Sequence, residues 1–380
     1  MKRSRVIFFN QASLREKETS YIREALESGH VAGRGPFTKR VEEILEARFG
    51  APKALLTHSC TAALEIAALL TVEHGDEVIL PSFAFATTAS AFARCGAKLV
   101  FVDIRPDTFN IDPRAVQAAI GPRTRAIVAV QYAGISCDVD SLREIAGHAN
   151  LAFVEDAAQA FGAKHRNRPL GSFGDLSTIS FHVTKNVISG EGGALIVNNP
   201  RLIERARIIR DRGTNQEQFL SQQVAEYSWV DLGSAYAPSD IIAAFLLAQV
   251  EDADDITLQR LRMWRQYHEA FETLERAGCA RRPIVPSDAE HNGHMYHLLL
   301  RDASRRSAVL AELNRSGINA VFHYVPLHTS PAGLKFGRVS GSLEVTEDVA
   351  KRLIRLPLHL SMSERDQSDV ADLVIHLLTA

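Results

Sequence analysis

The sequence has few cysteines, no long apolar run and no excess of charge of either sign. Its four cysteines, Cys60, Cys95, Cys137 and Cys279, are scattered and form no CxxC, so neither a disulfide framework nor a zinc site is expected. No segment reaches the length of a membrane span. The basic start, MKRSRVIFFN, carries too short an apolar run for a signal peptide. Lys and Arg number 43 against 45 Asp and Glu, and the two signs are interspersed. That balance argues against a nucleic-acid or membrane-surface partner. No internal repeat or low-complexity linker is visible. The expectation is a soluble, cytoplasmic protein.

What is present is an ordinary folded composition, 46% hydrophobic and 23% charged, over 380 residues. That length exceeds what one compact core usually serves. Short apolar runs alternate with amphipathic stretches: residues 54–57, 77–81, 98–103, 125–131, 151–156, 176–182 and 194–198 read as strands, with helical patterns between most of them. This predicts an α/β fold with a mostly parallel sheet covered on both faces. From Ser239 to Leu274 no Gly or Pro interrupts a helical pattern, which predicts one long helix joining two domains. The tail predicts strands at 297–302 and 320–326 and helices at 304–315, 344–354 and 364–378. The expected division is a large domain at 1–250 and a smaller α+β domain at 251–380.

Ligands of open α/β sheets collect at the carboxyl ends of the strands, and polar residues stand there. Ser59 and Cys60 open a helix whose free N–H groups suit a phosphate, or Ser59 simply caps it. Phe85 follows another strand, able to stack on a planar ring or to join the core. Asp156 ends the strand at 151–156. A carboxylate there needs a cation or hydrogen bonds, either the protonated nitrogen of a pyridoxal cofactor or an arginine. Gln159 is close by in sequence. In the stretch SFHVTKN, Lys185 stands where burial disfavours its ammonium. A neutral amine is a nucleophile that forms a Schiff base with an aldehyde. The bland alternative is a lysine whose stem packs on apolar neighbours. The order of small-residue helix start, aromatic, aspartate and lysine favours pyridoxal phosphate on Lys185, with Ser180 toward the phosphate.

The stretches T-H-S-C-T-A-A-L, P-S-F-A-F-A-T, V-E-D-A-A-Q, S-F-H-x-T-K-N, G-E-G-G and H-Y-V-P-L-H resemble, in order and over nearly the whole chain, the DegT/DnrJ/EryC1/StrS sugar aminotransferases. G-T-N-Q-E-Q-F and V-F-V-D-I-R-P-D-T resemble the branch acting on dTDP-4-keto-6-deoxyglucose. The resemblance implies a fold-type I pyridoxal 5'-phosphate enzyme working as a homodimer. It implies transfer of an amino group from L-glutamate to C4 of a dTDP-linked keto-deoxyhexose, giving dTDP-4-amino-4,6-dideoxygalactose. The glucose epimer and a 3-amino sugar stay open.

By the same resemblance Lys185 is the Schiff-base lysine and Asp156 the partner of the pyridine nitrogen. Gln159, Phe85, Ser59, Cys60, Ser180 and His182 line the cofactor. Gly33, Gly35, Pro36, His323 and His328 lie on the substrate side, with no metal. In one respect the chain departs from the pattern: where many members carry G-Y-N-Y-R, it has Gly233-Ser234-Ala235-Tyr236-Ala237. The contact with a partner's phosphate then falls to Ser234 or is absent. Related 3-dehydratases carry histidine in place of the lysine, so Lys185 argues against that reaction. Intact Lys185, Asp156 and Gln159 argue against a non-catalytic regulator.

Overall fold

A computed structural model describes residues 6–379; the basic start at 1–5 lies outside the described residues. In chain order the first half runs α1 (Lys17–Glu27), α2 (Pro36–Phe49), β1 (Lys53–Thr57), α3 (Cys60–Thr71), β2 (Glu77–Pro81), α4 (Ala86–Arg94), β3 (Lys98–Val102), α5 (Pro113–Ala119), β4 (Thr124–Val130), α6 (Val139–Ala149) and β5 (Ala152–Asp156). There follow β6 (Lys164–His165), β7 (Arg168–Pro169), β8 (Leu176–Ser180), β9 (Gly193–Val197), α7 (Ile203–Arg210), α8 (Gln216–Leu220), α9 (Asp240–Glu251), α10 (Ala253–Ala270) and α11 (Glu272–Arg276). The remainder is β10 (Ala280–Arg281), β11 (Ala289–Glu290), β12 (Tyr296–Leu300), α12 (Arg306–Arg315), α13 (Pro331–Phe336), β13 (Gly337–Val339), α14 (Glu344–Arg352), β14 (Leu353–Leu356) and α15 (Glu364–Thr379).

The main sheet has eight strands in the order β1-β9-β8-β5-β4-β2-β3-β13. Only β9 runs against its neighbours; the pairs from β8 to β13 are parallel. Alternation along the strands sends side chains to both faces of the sheet. Leu56, Ile79 and Val100 pack with α2, α6 and α9, while Leu55, Val78 and Leu99 pack with α3 and α4. Each fully buried aliphatic side chain contributes about 1.5–3 kcal/mol, so the two layers stabilise the sheet from both faces. Among the described residues, no helix is long and apolar enough to cross a membrane.

A second core gathers α10, α12 and α15 around the three-stranded sheet β10-β12-β14. Three segments cross the boundary expected at 250/251. Ile7 bridges to Ile318 and packs in this second core. β13 pairs with β3 in the main sheet, and β11 pairs with β6.

Three expectations change. The helix foreseen over 239–274 is three helices, parted at Asp252 and Phe271, whose ψ angles of 9° and 5° leave the helical range. Phe271 is fully buried among α10, α11 and β12, so packing turns the chain there without Gly or Pro. The strand foreseen at 320–326 is reduced to one bridge, Val321 to Arg355. Pro326 has no N–H to extend the ladder, and the segment continues across the sheet edge. Leu353 and Ile354, foreseen at a helix end, instead begin β14, all four of whose residues are buried. A short apolar run of this length has no period that separates helix from strand.

Strand β5 ends in two adjacent carboxylates that face opposite ways. Glu155 is fully buried and accepts from Gln131 Nε2 (2.8 Å), Gly171 N (3.0 Å), Phe173 N (2.6 Å) and Gly174 N (2.8 Å). It therefore ties the loop before β8 to the centre of the sheet. Glu155→Ala strands those four donors in the interior. Urea unfolding is expected to show a loss of about 3 kcal/mol or more; a loss below about 1 kcal/mol would mean that the loop is held by other contacts.

Candidate active site

The carboxyl ends of β1, β2, β4, β5 and β8 open onto a cavity of about 490 Å³. Its walls carry Ser59, Cys60, Phe85, Thr88, Asp156, Gln159, Ser180, His182, Lys185, His294, His323, Tyr324 and Arg355. Thus the main sheet supplies one wall, while β14 and the segment at 320–326 supply the other. β9 runs the opposite way, so its first residue, Gly193, lies at the same edge, in register with both Thr57 and Ser180.

Lys185 sits in the connection between β8 and β9, its N–H bonded to the His182 carbonyl at 2.8 Å. Burial pushes its amine below the ordinary 10.5, opposed by Cys60 and Asp156 and assisted by the Arg355 charge. Asp156 is 5% exposed. It accepts from Thr88 Oγ1 at 2.6 Å and from Ala158 N at 3.2 Å. Burial raises its carboxyl above the ordinary value, while Thr88, Ala158 and Lys185 pull the other way. The Cys60 thiol is pushed up to about 12 by burial, so it stays protonated near neutrality and is no competing nucleophile.

At one end of the cavity lies the N-terminus of α3, capped by Ser59, whose Oγ accepts from Ala62 N at 3.1 Å. Of the first-turn N–H groups, those of Cys60 and Thr61 are left without an acceptor, and both residues line the cavity. A Cβ on Gly193 would lie 2.4 Å from Cys60 N, so only glycine lets β9 approach this turn. Ser180, 6% exposed, completes that end.

The opposite wall is aromatic and basic. Gln159 Oε1 accepts from Ala133 N at 2.7 Å, holding a residue whose φ is 59°. Gln159 Nε2 donates to Tyr324 Oη at 2.9 Å. His323 stacks on Tyr324 with ring centroids 3.9 Å apart, and its Nδ1 is 3.3 Å from Tyr132 Oη. Burial and the adjacent Arg355 hold its imidazole well below the ordinary value, so it is neutral.

The DegT/DnrJ/EryC1/StrS aminotransferase family matches residues 12–375. The chain belongs to it. Spore coat polysaccharide biosynthesis protein SpsC of Bacillus subtilis is 32% identical over 98% of this chain and 97% of its own length. GDP-perosamine synthase of Caulobacter vibrioides is 31% identical over 92% of each. Among solved structures, the aminotransferase TlmJ from Streptoalloteichus hindustanus superposes with a TM-score of 0.90 at 31% identity, covering 98% of this chain and 99% of that one. The PLP-form of Spr1654 from Streptococcus pneumoniae gives 0.90 at 26% identity, covering 98% of this chain and 99% of that one. The fold is that of fold-type I aminotransferases, and the chain is a pyridoxal phosphate-dependent member of the family.

The residues present fit the cofactor of such an aminotransferase. Phe85 is 60% exposed, an apolar ring left open at the cavity wall where a planar ring would cover it. Ser59, Cys60, Thr61 and Ser180 line the end of the cavity at the start of α3, where an anionic end would sit. Asp156 and Lys185 would face the ring nitrogen and the aldehyde.

The other residues expected in the site divide. His182 lines the cavity, its Nδ1 2.8 Å from Thr184 Oγ1. His323 lines it too. His328 does not: its Nδ1 meets Ser82 Oγ at 2.7 Å and its Nε2 meets Glu347 at 3.4 Å. It pins the segment at 327–329 to the end of β2. Gly33, Gly35 and Pro36 also lie off this cavity. Pro36 opens α2, whose first N–H groups, on Phe37 and Thr38, bond the buried Asp240 carboxylate at 3.1 and 2.8 Å. A Cβ on Gly35 would collide with that carboxylate at 2.4 Å. Ser234 stands on an exposed segment away from the cavity of its own chain.

Thr88, Tyr324, His294 and Arg355 were not foreseen. Thr88 directly follows the quoted P-S-F-A-F-A-T and Tyr324 lies inside H-Y-V-P-L-H, but neither pattern distinguishes a lining side chain from a core one. Arg355 lay at a boundary read as the end of a helix.

Because the Lys185 amine is held below 10.5, it loses its proton at a lower pH than an ordinary lysine. Capture of added pyridoxal phosphate by the cofactor-free protein is expected to speed up with pH and level off before 10.5. Stopped-flow absorbance measures it, with Lys185→Ala giving no visible band. A profile that levels off only at the ordinary value would contradict the desolvated amine.

Proposed function

We propose that this chain moves an amino group from L-glutamate to C4 of a dTDP-4-keto-6-deoxyhexose, giving dTDP-4-amino-4,6-dideoxygalactose. The observation that carries the reading is the desolvated Lys185 amine sharing one cavity with the buried, hydrogen-bonded Asp156. Bound pyridoxal phosphate supplies an electron sink for the carbon that loses its proton. Asp156 keeps the proton on the ring nitrogen that makes the sink effective. Lys185 Nζ would carry the proton from the donor Cα and return one to the sugar carbon in the reverse sense. Ser59, Cys60 and Ser180 hold the phosphate, and Phe85 covers the ring. Thr88 keeps the Asp156 carboxylate turned into the cavity.

The acceptor class rests on the sugar-nucleotide branch that the sequence resembles, and on relatives named for polysaccharide and nucleotide-sugar synthesis. One of those names carries GDP, which makes the nucleotide a point of measurement. Purified protein is given L-glutamate with dTDP- and GDP-linked 4-keto-6-deoxyhexoses, and the product is read by NMR. A galactose-configured 4-amine on dTDP is the expected outcome. A glucose-configured amine, a C3 amine or turnover of the GDP sugar alone would replace this reading.

We further infer a homodimer. Leu220, Trp229 and Leu232 are 67%, 75% and 60% exposed on the stretch that leads to Ser234. An apolar face of this kind is covered in a stable assembly. Light scattering is expected to give twice the chain mass, and Trp229→Glu to shift it toward the monomer. A monomeric parent protein would remove Ser234 from the site.

A further inference from the structure

Among the described residues, the histidines that line the cavity are His182, His294 and His323. His182 has both ring nitrogens engaged, Nδ1 with Thr184 Oγ1 and Nε2 with Glu191 at 3.5 Å. So has His323, Nδ1 with Tyr132 Oη and Nε2 with Arg355. His294 differs. It is 7% exposed, its Nδ1 lies 3.0 Å from Asn186 Oδ1, and among the described residues its Nε2 has no partner.

The network behind His294 fixes which nitrogen carries the proton. Asn292 Nδ2 donates to the carbonyls of Gln159 and Phe161 at 2.9 and 3.0 Å, which turns Asn292 Oδ1 toward His294 N at 3.0 Å. Asn186 Nδ2 donates to the Asn292 carbonyl at 2.9 Å, which turns Asn186 Oδ1 toward the imidazole. An amide oxygen only accepts, so the network assigns the N–H to His294 Nδ1, and Nδ1 donates. Burial and the charges of Lys185, Arg260 and Arg355 hold the imidazole well below its ordinary value, so it is neutral. Nε2 is therefore a bare lone pair on a cavity-lining side chain, an acceptor with no donor from the protein. Such a group is costly in the interior until something donates to it.

The two substrates differ in what they offer this acceptor. An amino-acid donor whose nitrogen is engaged in the transfer has only carboxylates left, and carboxylates accept. A keto sugar brings hydroxyls, which donate. The hydroxyl concerned is one near the reacting carbon, because Asn186, which binds His294, directly follows Lys185 in the chain. In a 4-keto-6-deoxyhexose the carbonyl carbon is flanked by C3, which carries a hydroxyl, and by C5, which carries a methyl group. We propose that His294 Nε2 accepts a hydrogen bond from the C3 hydroxyl of the keto sugar, and that Asn186 is the positioning residue that fixes the imidazole for it; this rests on the reading of the chain as a C4 aminotransferase of such a sugar. A site with a buried acceptor at this point selects against a sugar without the hydroxyl, since the acceptor is then left unpaired.

The test uses the amine-loaded protein, given dTDP-4-keto-6-deoxyhexose or its 3-deoxy counterpart in single turnovers, with return of the visible cofactor band as the readout. The parent protein is expected to prefer the hydroxylated sugar by about 10- to 100-fold. In His294→Phe the hydroxylated sugar falls to the level of the 3-deoxy sugar, and the glutamate half-reaction loses less than the keto-sugar half-reaction. A parent protein that converts the two sugars alike overturns the proposal. So does a His294→Phe variant that keeps the parent's preference, or one that loses equally in both half-reactions. Should His294→Phe not hold the cofactor, Asn186→Leu decides. It leaves the imidazole in place but frees Nδ1, so the preference drops if the fixed tautomer matters, and an unchanged preference refutes the assignment. Failure of the C4 reading shows separately, as a parent protein that converts neither sugar.

Discussion

The site depends on the cost of placing charge at the buried carboxyl edge of a parallel sheet. At β5 that cost is met twice in succession, in opposite directions. Glu155 turns to one face and is satisfied by a side-chain amide and three backbone N–H groups of its own chain. Asp156 turns to the other face and has only Thr88 and Ala158. A carboxylate with room for a further partner, beside an amine pushed toward neutrality, is a pair arranged for a ligand carrying both a proton donor and an aldehyde. The rest of the fold delivers groups to that pair: α3 brings backbone N–H groups, Gly193 lets β9 close in, and Phe85 lines the wall.

The second sheet and its helices complete the cavity rather than merely adjoin it. Tyr324, His323 and Arg355 come from residues far along the chain, yet they form one connected group with Gln159 and Tyr132. Gln159 spans the two sides, holding Ala133 on one and Tyr324 on the other. Interdigitation of the two halves through β13 and Ile7 limits how far the walls can separate without breaking sheet pairing. Asp156 is itself buried at this junction, which strengthens the electrostatic effect of its charge.

Several local signals were legible because they report chemistry that few other contexts require. The alternation of apolar runs announced a mostly parallel sheet, and the polar residues at its carboxyl ends announced a site there. Asp156, Gln159, Ser180, His182 and Lys185 do line one cavity, as do Ser59, Cys60, Phe85 and His323. His328 and the Gly33–Pro36 stretch carried the same kind of signal and lie off the cavity of their own chain, held by partners from other elements. The hydrogen-bond partners that distinguish the two uses, Ser82 for His328 and Asp240 for the α2 start, are more than two hundred positions distant in sequence.

By itself the sequence determined seven of the eight strands of the large sheet, the lysine–aspartate pair and the family it resembles. Those follow from local periodicity and from residue types that are costly in any other setting. Only the tertiary structure decided which of two adjacent carboxylates faces the cavity, where the helix over 239–274 turns, and that 353–356 is a strand. The reason is physical: a one-residue step on a strand reverses the face, and a short apolar run has no period of its own. Arg355 belongs to the second group, because its place in the cavity wall is a property of the space around it.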